Sequence, residues 1–478
     1  MTTSVPEGIA TPDELHTRIG TLRLHDGVPD EETTRLVYDN LDFQRAVQAY
    51  LSSIQIASMR AMRAGILAQG PANTTIVAFE SMMDSRALFL TPNTTSVYMM
   101  SWLDLSDGPL VVETPPDVLG VIDDSWFHYV ADFGNAGPDR GRGGRFLVLP
   151  PGHDGEVPDG YHVVRTQTFG NWVVWRGFPV DGDPAPAVRT TRERFSIHPL
   201  GSDPVEMTMV DVSGTELNTV HRMDAALFDE VAATVRTEPP DGQDPEILGL
   251  LASIGIRHGA PFAPDARMRR ILADAADVGA ATVRALAARP RDEEYYLYPG
   301  ERVWQNPFVG GSYEFLRDGA RLLDARAYMH FYATGITPAM SMAMVGKGSQ
   351  YAVAYLGADG APLDGSETYV VHLPPDVPAQ DFWSFVVYDN QTRSMLQTDQ
   401  RLPGISSARG AEQNADGSFD VYFGPERPSN GATNWVQTVP GRGWNMLFRL
   451  YGPLETWFDR TWRPGDPTRI DQGGGPAA

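Results

Sequence analysis

The sequence predicts a mainly β protein with a helical insert, and three observations carry that expectation. Short apolar runs separated by turn residues extend from Thr75 to about Leu200 and resume after residue 331. The chain holds 47 Gly and 38 Pro, more than helical proteins tolerate. Between about Asp203 and Phe331 the apolar period shifts from two to the three-and-four spacing of helices. At 478 residues the chain exceeds one ordinary core and suits two or three domains. The expected segments are 1–70, an N-terminal stretch with a long helix; 71–202, a β-sandwich; 203–331, a helical bundle segment; 332–472, a jelly roll; and 473–478, a disordered tail.

Taken in order, Glu32–Gln69 repeats apolar residues at helical spacing, with no Gly or Pro before Gly65, and predicts one long amphipathic helix. Val97–Leu105 and Leu110–Val112 are apolar runs of strand length joined by Ser106-Asp107-Gly108-Pro109, which reads as a hairpin. Phe146–Leu149 is a short strand ended by Pro150 and Pro151, and Tyr161–Arg165 and Asn171–Arg176 are two strands around a loop. In the insert, helices are expected over Leu217–Val235, Asp244–Ile256, Asp265–Ala288 and Tyr313–Tyr328, with Pro264 in a first helical turn. Tyr369–Leu373, Phe382–Tyr388, Phe419–Phe423 and Met446–Tyr451 are strands of the jelly roll, with Asn414-Ala415-Asp416-Gly417 as a hairpin signal.

Composition excludes several functions. The formal charge is −23, Lys347 is the one lysine, and no basic stripe interleaves with aromatics, so neither nucleic acid nor an anionic membrane is an expected partner. Zero cysteines rule out disulfides, thiolate metal sites and a cysteine nucleophile. Neither a leader nor a run of eighteen apolar residues is visible, and a cytoplasmic monomer or small homo-oligomer is expected. The ten histidines show no metal-site spacing, and nucleophile-elbow, phosphate-loop and dinucleotide motifs are lacking. No metal is therefore expected, and the sequence identifies no cofactor.

What remains is a polar loop mounted on the first apolar runs: Asp84, Arg86, Thr91, Asn93, Thr94 and Thr95, followed by Tyr98. Its structural alternative is a turn in which Asn93 caps neighbouring amides and Asp84 and Arg86 form an ion pair. The stretch MDSRALFLTPNTTSVYMMSWLDLSDGPLVVETP, with GPDRGRGGRFLVLPPGHDGEVPDGY, resembles the bacterial family of domain of unknown function twelve fifty-four. FWSFVVYDNQ, NADGSFDVYFG, NWVQTVPGRGWNMLFRLYGP and DRTWRPG resemble its usual companion, domain of unknown function twelve fourteen. The resemblance implies an immunoglobulin-like sandwich in the first half and supports the jelly roll in the second. Asp84, Arg86, Thr91, Asn93, Tyr98, Arg401, Trp435 and Arg449 match its pattern. Thr95 stands where an acid is usual, Leu402 where a tyrosine is, and Gln397 where an asparagine is.

The candidate catalytic residues are thus Asp84, Arg86, Tyr98 and His330, the last at the junction of the insert with the second β half. Candidate substrate-binding residues are Thr91, Asn93, Arg401, Trp435 and Arg449, together with Arg140 in the glycine-rich run Gly137–Arg145, which could hold an anion. The expected function is hydrolysis of a small or oligomeric polar substrate between the two β domains, since a carboxylate and hydroxyls suffice to activate water. Its alternative is a non-catalytic protein that binds a carbohydrate or other small molecule on aromatic platforms.

Overall fold

The computed structural model describes residues 3–429 and 431–470. The tail expected to be disordered, Gly473–Ala478, lies outside them. Contacts divide the chain into two units, one running to Ser53 and resuming over Met223–Ala281, the other comprising Ile54–Arg222 and the chain from Thr282 onward. The expected segments 1–70 and 203–331 each contribute to both.

In the smaller unit a three-stranded meander, Glu14–Thr17, Gly20–His25 and Val28–Pro29, leads into the long helix Glu31–Leu67. Asp30 caps that helix, its Oδ1 accepting from the Thr33 amide at 2.7 Å, and Glu31 and Glu32 complement the positive end of the helix dipole. Arg267 binds Asp39 at 2.6 Å and Asp42 at 2.7 Å. Close helix packing requires glycine at 279, where a Cβ would stand 2.5 Å from the Tyr50 ring. The helix Ala266–Ala288 is capped by Asp265, which accepts from the Met268 amide at 2.7 Å, so Pro264 precedes the cap instead of lying in the first turn.

The larger unit holds two sandwiches. The first is the immunoglobulin-like one, enlarged to six and four strands. Its six-stranded sheet runs Thr208–Asp211, Thr75–Ala78, Val97–Asp104, Gly170–Gly177, Val118–Asp124, Tyr129–Gly134. Facing it are His162–Arg165, Gly144–Leu149, Leu110–Thr114 and Ser196–Pro199. The second sandwich has eight strands, the number in a jelly roll. Ser349–Ala354, Trp444–Pro453, Ala379–Asp389 and Gly404–Ser406 form one sheet, and Trp435–Gln437, Phe419–Gly424, Thr368–Leu373 and Thr468–Ile470 the other.

Strand alternation decides what each sheet presents. Val97, Met99, Leu103, Ile122, Phe133, Val173 and Trp175 fill the first core. The intervening residues Tyr98, Leu119, Val121, Asp132, Trp172, Val174 and Arg176 therefore share the opposite face of the six-stranded sheet, where Arg176 pairs in register with both Tyr98 and Leu119. In the second sandwich Phe385, Met446, Phe448 and Leu450 enter the core, which leaves Tyr351, Leu447, Arg449 and Tyr451 on the outer face of that sheet.

Several expectations need correction. Val97–Asp104 and Leu110–Thr114 do not pair with each other: the Ser106–Pro109 turn, with Gly108 at φ +130°, carries the chain from one sheet to the other. His162–Arg165 and Gly170–Gly177 are the two strands expected around a loop, and they too belong to separate sheets. Val97–Asp104 and Leu110–Thr114 are both buried along most of their length, and burial is better served by joining two layers than by a flat hairpin. The helix expected over Leu217–Val235 begins only at Leu227, because Leu217–Asn218 pairs in parallel with Ala87–Leu88. Tyr313–Tyr328 contains a hairpin, Leu316–Arg317 with Ala320–Arg321, before a helix at Leu323–Tyr332. Asp318 and Gly319 both adopt positive φ there, which an Asp-Gly pair favours in a tight turn. Asn414–Gly417 forms a turn, yet the strand before it, Gly404–Ser406, pairs with Ala379–Asp389 and not with Phe419–Gly424.

Candidate functional site

A partly enclosed cavity of about 110 Å³ lies between the outward faces of the six-stranded sheet and of the sheet containing Trp444–Pro453. Its walls are mostly apolar, with Phe89, Val121, Trp172, Val174, Phe308 and Leu447 prominent. Tyr98, Asp132 and Arg176 come from the first sandwich, and Tyr351 and Arg449 from the second. The segment Ala333–Met340, just after the helix Leu323–Tyr332, closes one side. Two aspartates hold that segment: the Ile336 amide donates to Asp123 Oδ2 at 3.1 Å, and the Thr337 hydroxyl donates to Asp132 Oδ2 at 3.0 Å.

Four of the ten candidate residues reach this cavity: Thr91, Asn93, Tyr98 and Arg449. Asn93 acts through its own loop. Its Oδ1 accepts from the Thr95 and Ser96 amides, both at 3.0 Å, and from the Ser96 hydroxyl at 2.9 Å. The Asn93 amide donates to the Tyr98 hydroxyl at 3.2 Å, and the Thr91 carbonyl accepts from Arg449 Nη2 at 2.7 Å. The loop and the second sandwich are thereby fastened together, and the turn alternative foreseen for Asn93 is the geometry it adopts.

The other six lie elsewhere. Asp84 is buried and binds Arg86 in fork fashion, with Nε at 3.1 Å and Nη2 at 2.6 Å from Oδ2, while Arg86 itself is exposed. This pair braces a turn and does not line the cavity. Burial lowers the His330 imidazole to about 3, so it is neutral at ordinary pH. Its Nδ1 sits 2.8 Å from the Arg326 carbonyl, and its ring packs edge-on against Phe127 at 4.8 Å and Phe315 at 5.7 Å. That is a packed core histidine. Arg140 is exposed at positive φ in the glycine-rich loop, where Arg145 is already engaged by Glu113 and by the Tyr161 hydroxyl. Arg401 Nη2 binds the carbonyl and hydroxyl of Ser81. Trp435 donates from Nε1 to the Gly424 carbonyl at 3.0 Å.

Sequence reasoning missed Asp132 and Arg176. Arg176 was visible as a charge at the end of the apolar run Asn171–Arg176, but its neighbours depend on a register that no local pattern states. Asp132 lies on the strand Tyr129–Gly134, where no sequence motif marks it. Burial raises its carboxyl to about 6 against the hydrogen bonds from Thr337 and Tyr129, which lower it. Asp123, fully buried with Oδ1 unpartnered, is raised well above the ordinary carboxylate range, first by burial.

Folded Asp132 keeps its proton up to about pH 6, whereas an unfolded aspartate releases it near its ordinary value of 3.8. The native state thus binds more protons between those values, and stability falls as pH rises through that window. Asp132→Asn is expected to remove about 1–3 kcal/mol of the decline between pH 4.5 and 7.5, as read from urea unfolding. An unchanged pH profile would show that Asp132 ionises as freely in the fold as outside it.

Among the described residues no group of three or more His, Asp or Glu is placed to hold a metal ion, and no helix is long and apolar enough to cross a membrane.

Two sandwiches facing one cavity define a two-module, mainly β protein. The modules themselves are given by two family models: "Protein of unknown function (DUF1254)" matches residues 73–199 and "Protein of unknown function (DUF1214)" matches residues 348–455, so the chain has the two-domain arrangement that its motifs resemble. Among solved structures, the VPA0106 protein from Vibrio parahaemolyticus is similar, at 19% identity and a TM-score of 0.55 over 90% of this chain and 100% of that one. That likeness shows a shared fold. A protein from Burkholderia cenocepacia aligns over 92% of this chain and 97% of its own, at 13% identity and a TM-score of 0.41. No curated protein matches at a significant level.

Proposed function

We propose that the cavity between the two sandwiches binds one small molecule with a substantial apolar part. The observation that carries this reading is an apolar-walled space of about 110 Å³ in which a few polar side chains converge. An engineered apolar cavity of about 150 Å³ accepts benzene, so this space suits a molecule of about one ring. Phe89, Trp172 and Phe308 supply flat apolar surface, and Tyr98 and Tyr351 supply polar contacts that fix orientation. Substituting Val174 by Phe fills the space from the wall. A panel of single-ring compounds is expected to raise the melting temperature of the natural chain and to leave that of Val174→Phe unmoved. Equal shifts for both proteins would place the binding elsewhere.

A second reading, hydrolysis, is favoured by one feature, the Asp132 carboxyl held near 6 beside the cavity. A carboxyl in that range is ionised often enough at neutral pH to accept a proton from water and retains enough basicity to be useful. In this reading Asp132 takes the role first expected of Asp84, which is occupied by Arg86. Turnover of ring esters that survives in Asp132→Asn would exclude it.

A further inference from the structure

Arg176 and Arg449 stand on facing sheets and line the same cavity, close enough that the charge of Arg449 acts on the Arg176 guanidinium. Among the described residues neither has a carboxylate partner. Arg449 is buried; its Nη2 binds the Thr91 carbonyl at 2.7 Å and lies 3.4 Å from that of Pro92, while its Nη1 has no hydrogen-bond partner. Among the described residues the Arg176 side chain makes no hydrogen bond.

Around the pair stand Tyr98, Tyr351, Tyr388 and Tyr451. Burial raises the Tyr351 and Tyr388 hydroxyls above the ordinary phenol range, so these two are neutral at physiological pH and cannot balance positive charge. Among the described residues Asp132 is the single acid on the cavity wall, and it is taken up by Thr337 and Tyr129. Arg449 is buried and Arg176 half-buried beside it, so two like charges share the cavity wall without a counter-charge, which is costly, and the unpaired Nη1 of Arg449 adds the desolvation of a donor. An anion placed between them would relieve both. This arrangement is more telling because the chain as a whole is acidic, with a formal charge of −23, and carboxylates to pair these arginines were abundant.

We infer that the molecule bound in the cavity is an amphipathic anion, a small acid whose carboxylate is read by Arg176 and Arg449 and whose apolar body lies against Trp172, Val174 and Phe308. The inference rests on the small-molecule reading above and deepens it. A planar carboxylate matches the fork of a guanidinium, and hydrogen bonds between charged partners are about twice as strong as neutral ones. The tyrosine hydroxyls can donate to the same oxygens.

The test uses the full chain, isothermal titration calorimetry and three probes: benzoate, its near-isosteric neutral amide benzamide, and inorganic phosphate. Benzoate is expected to bind at least about ten-fold more tightly than either of the others. Arg176→Gln should weaken benzoate about ten-fold and leave benzamide unchanged. Arg176 is the informative position because Arg449 also holds the 91–92 backbone, so that Arg449→Gln puts folding at risk. Benzoate and benzamide binding equally, both indifferent to Arg176→Gln, would overturn the anion assignment and leave the small-molecule reading standing. Phosphate binding as well as benzoate would overturn the apolar half of the assignment. Binding of none of the three would remove the small-molecule reading and this inference with it.

Discussion

Replacing Trp175 with alanine is expected to lower the unfolding free energy by about 3–5 kcal/mol, the range for deleting a large aromatic from a packed core. Trp175 is fully buried and stacks on Phe195 with centroids 4.0 Å apart and planes inclined by 17°. Its Nε1 donates to Thr191 Oγ1 at 3.2 Å, so the deletion also strands a buried hydroxyl. The residue lies on the central strand Gly170–Gly177, paired on both sides, where neighbouring strands cannot collapse into the gap. Urea unfolding followed by tryptophan-independent circular dichroism checks the value. Trp175→Phe, which keeps a ring for Phe195, should cost clearly less, and equal costs would mean that the stacking contributes nothing.

Asn93→Ala is expected to cost about 2–4 kcal/mol, because it leaves two buried backbone amides, those of Thr95 and Ser96, without an acceptor. Asn93→Asp retains the oxygen and should recover most of the loss. The same loop contributes Thr91, whose carbonyl takes the Arg449 guanidinium, so Asn93→Ala should also weaken ligand binding indirectly. Normal stability in Asn93→Ala would mean that the loop is held by something other than this cap.

Which parts of this were legible in the sequence follows from the range over which each signal acts. The helix expected over Glu32–Gln69 is Glu31–Leu67, and the strands expected at Phe146–Leu149, Phe382–Tyr388 and Met446–Tyr451 are present with small shifts at their ends, since apolar period and turn residues are local. Pairing is not local. Val97–Asp104 and Leu110–Thr114 look like a hairpin residue by residue, and only competition among all strands sends them to separate sheets. The Asp318-Gly319 hairpin was readable as a turn pair and was overridden by an Ala- and Leu-rich surround.

The polar loop at 84–98 was correctly located as a dense hydrogen-bonding stretch, but its roles divided. Asp84 and Arg86 satisfy each other two residues apart, and Asn93 satisfies the next amides, as short polar side chains in turns do. Arg449 was identified from a motif and reaches the cavity. Arg176 and Asp132 arrive there only through the register of Gly170–Gly177 against Val118–Asp124 and of Val118–Asp124 against Tyr129–Gly134. A charged residue inside an apolar strand was the available signal, and alternation would have assigned it a face but not a partner.

The central claim is that the space between the two sandwiches receives an amphipathic anion, and a crystal structure of the chain soaked with benzoate tests it most directly. The account predicts a ring against Trp172 and Val174 and a carboxylate within hydrogen-bonding distance, about 2.7–3.2 Å, of the Arg176 or Arg449 guanidinium. An empty cavity at saturating benzoate, or a ring seated with its carboxylate turned away from both arginines, would contradict it.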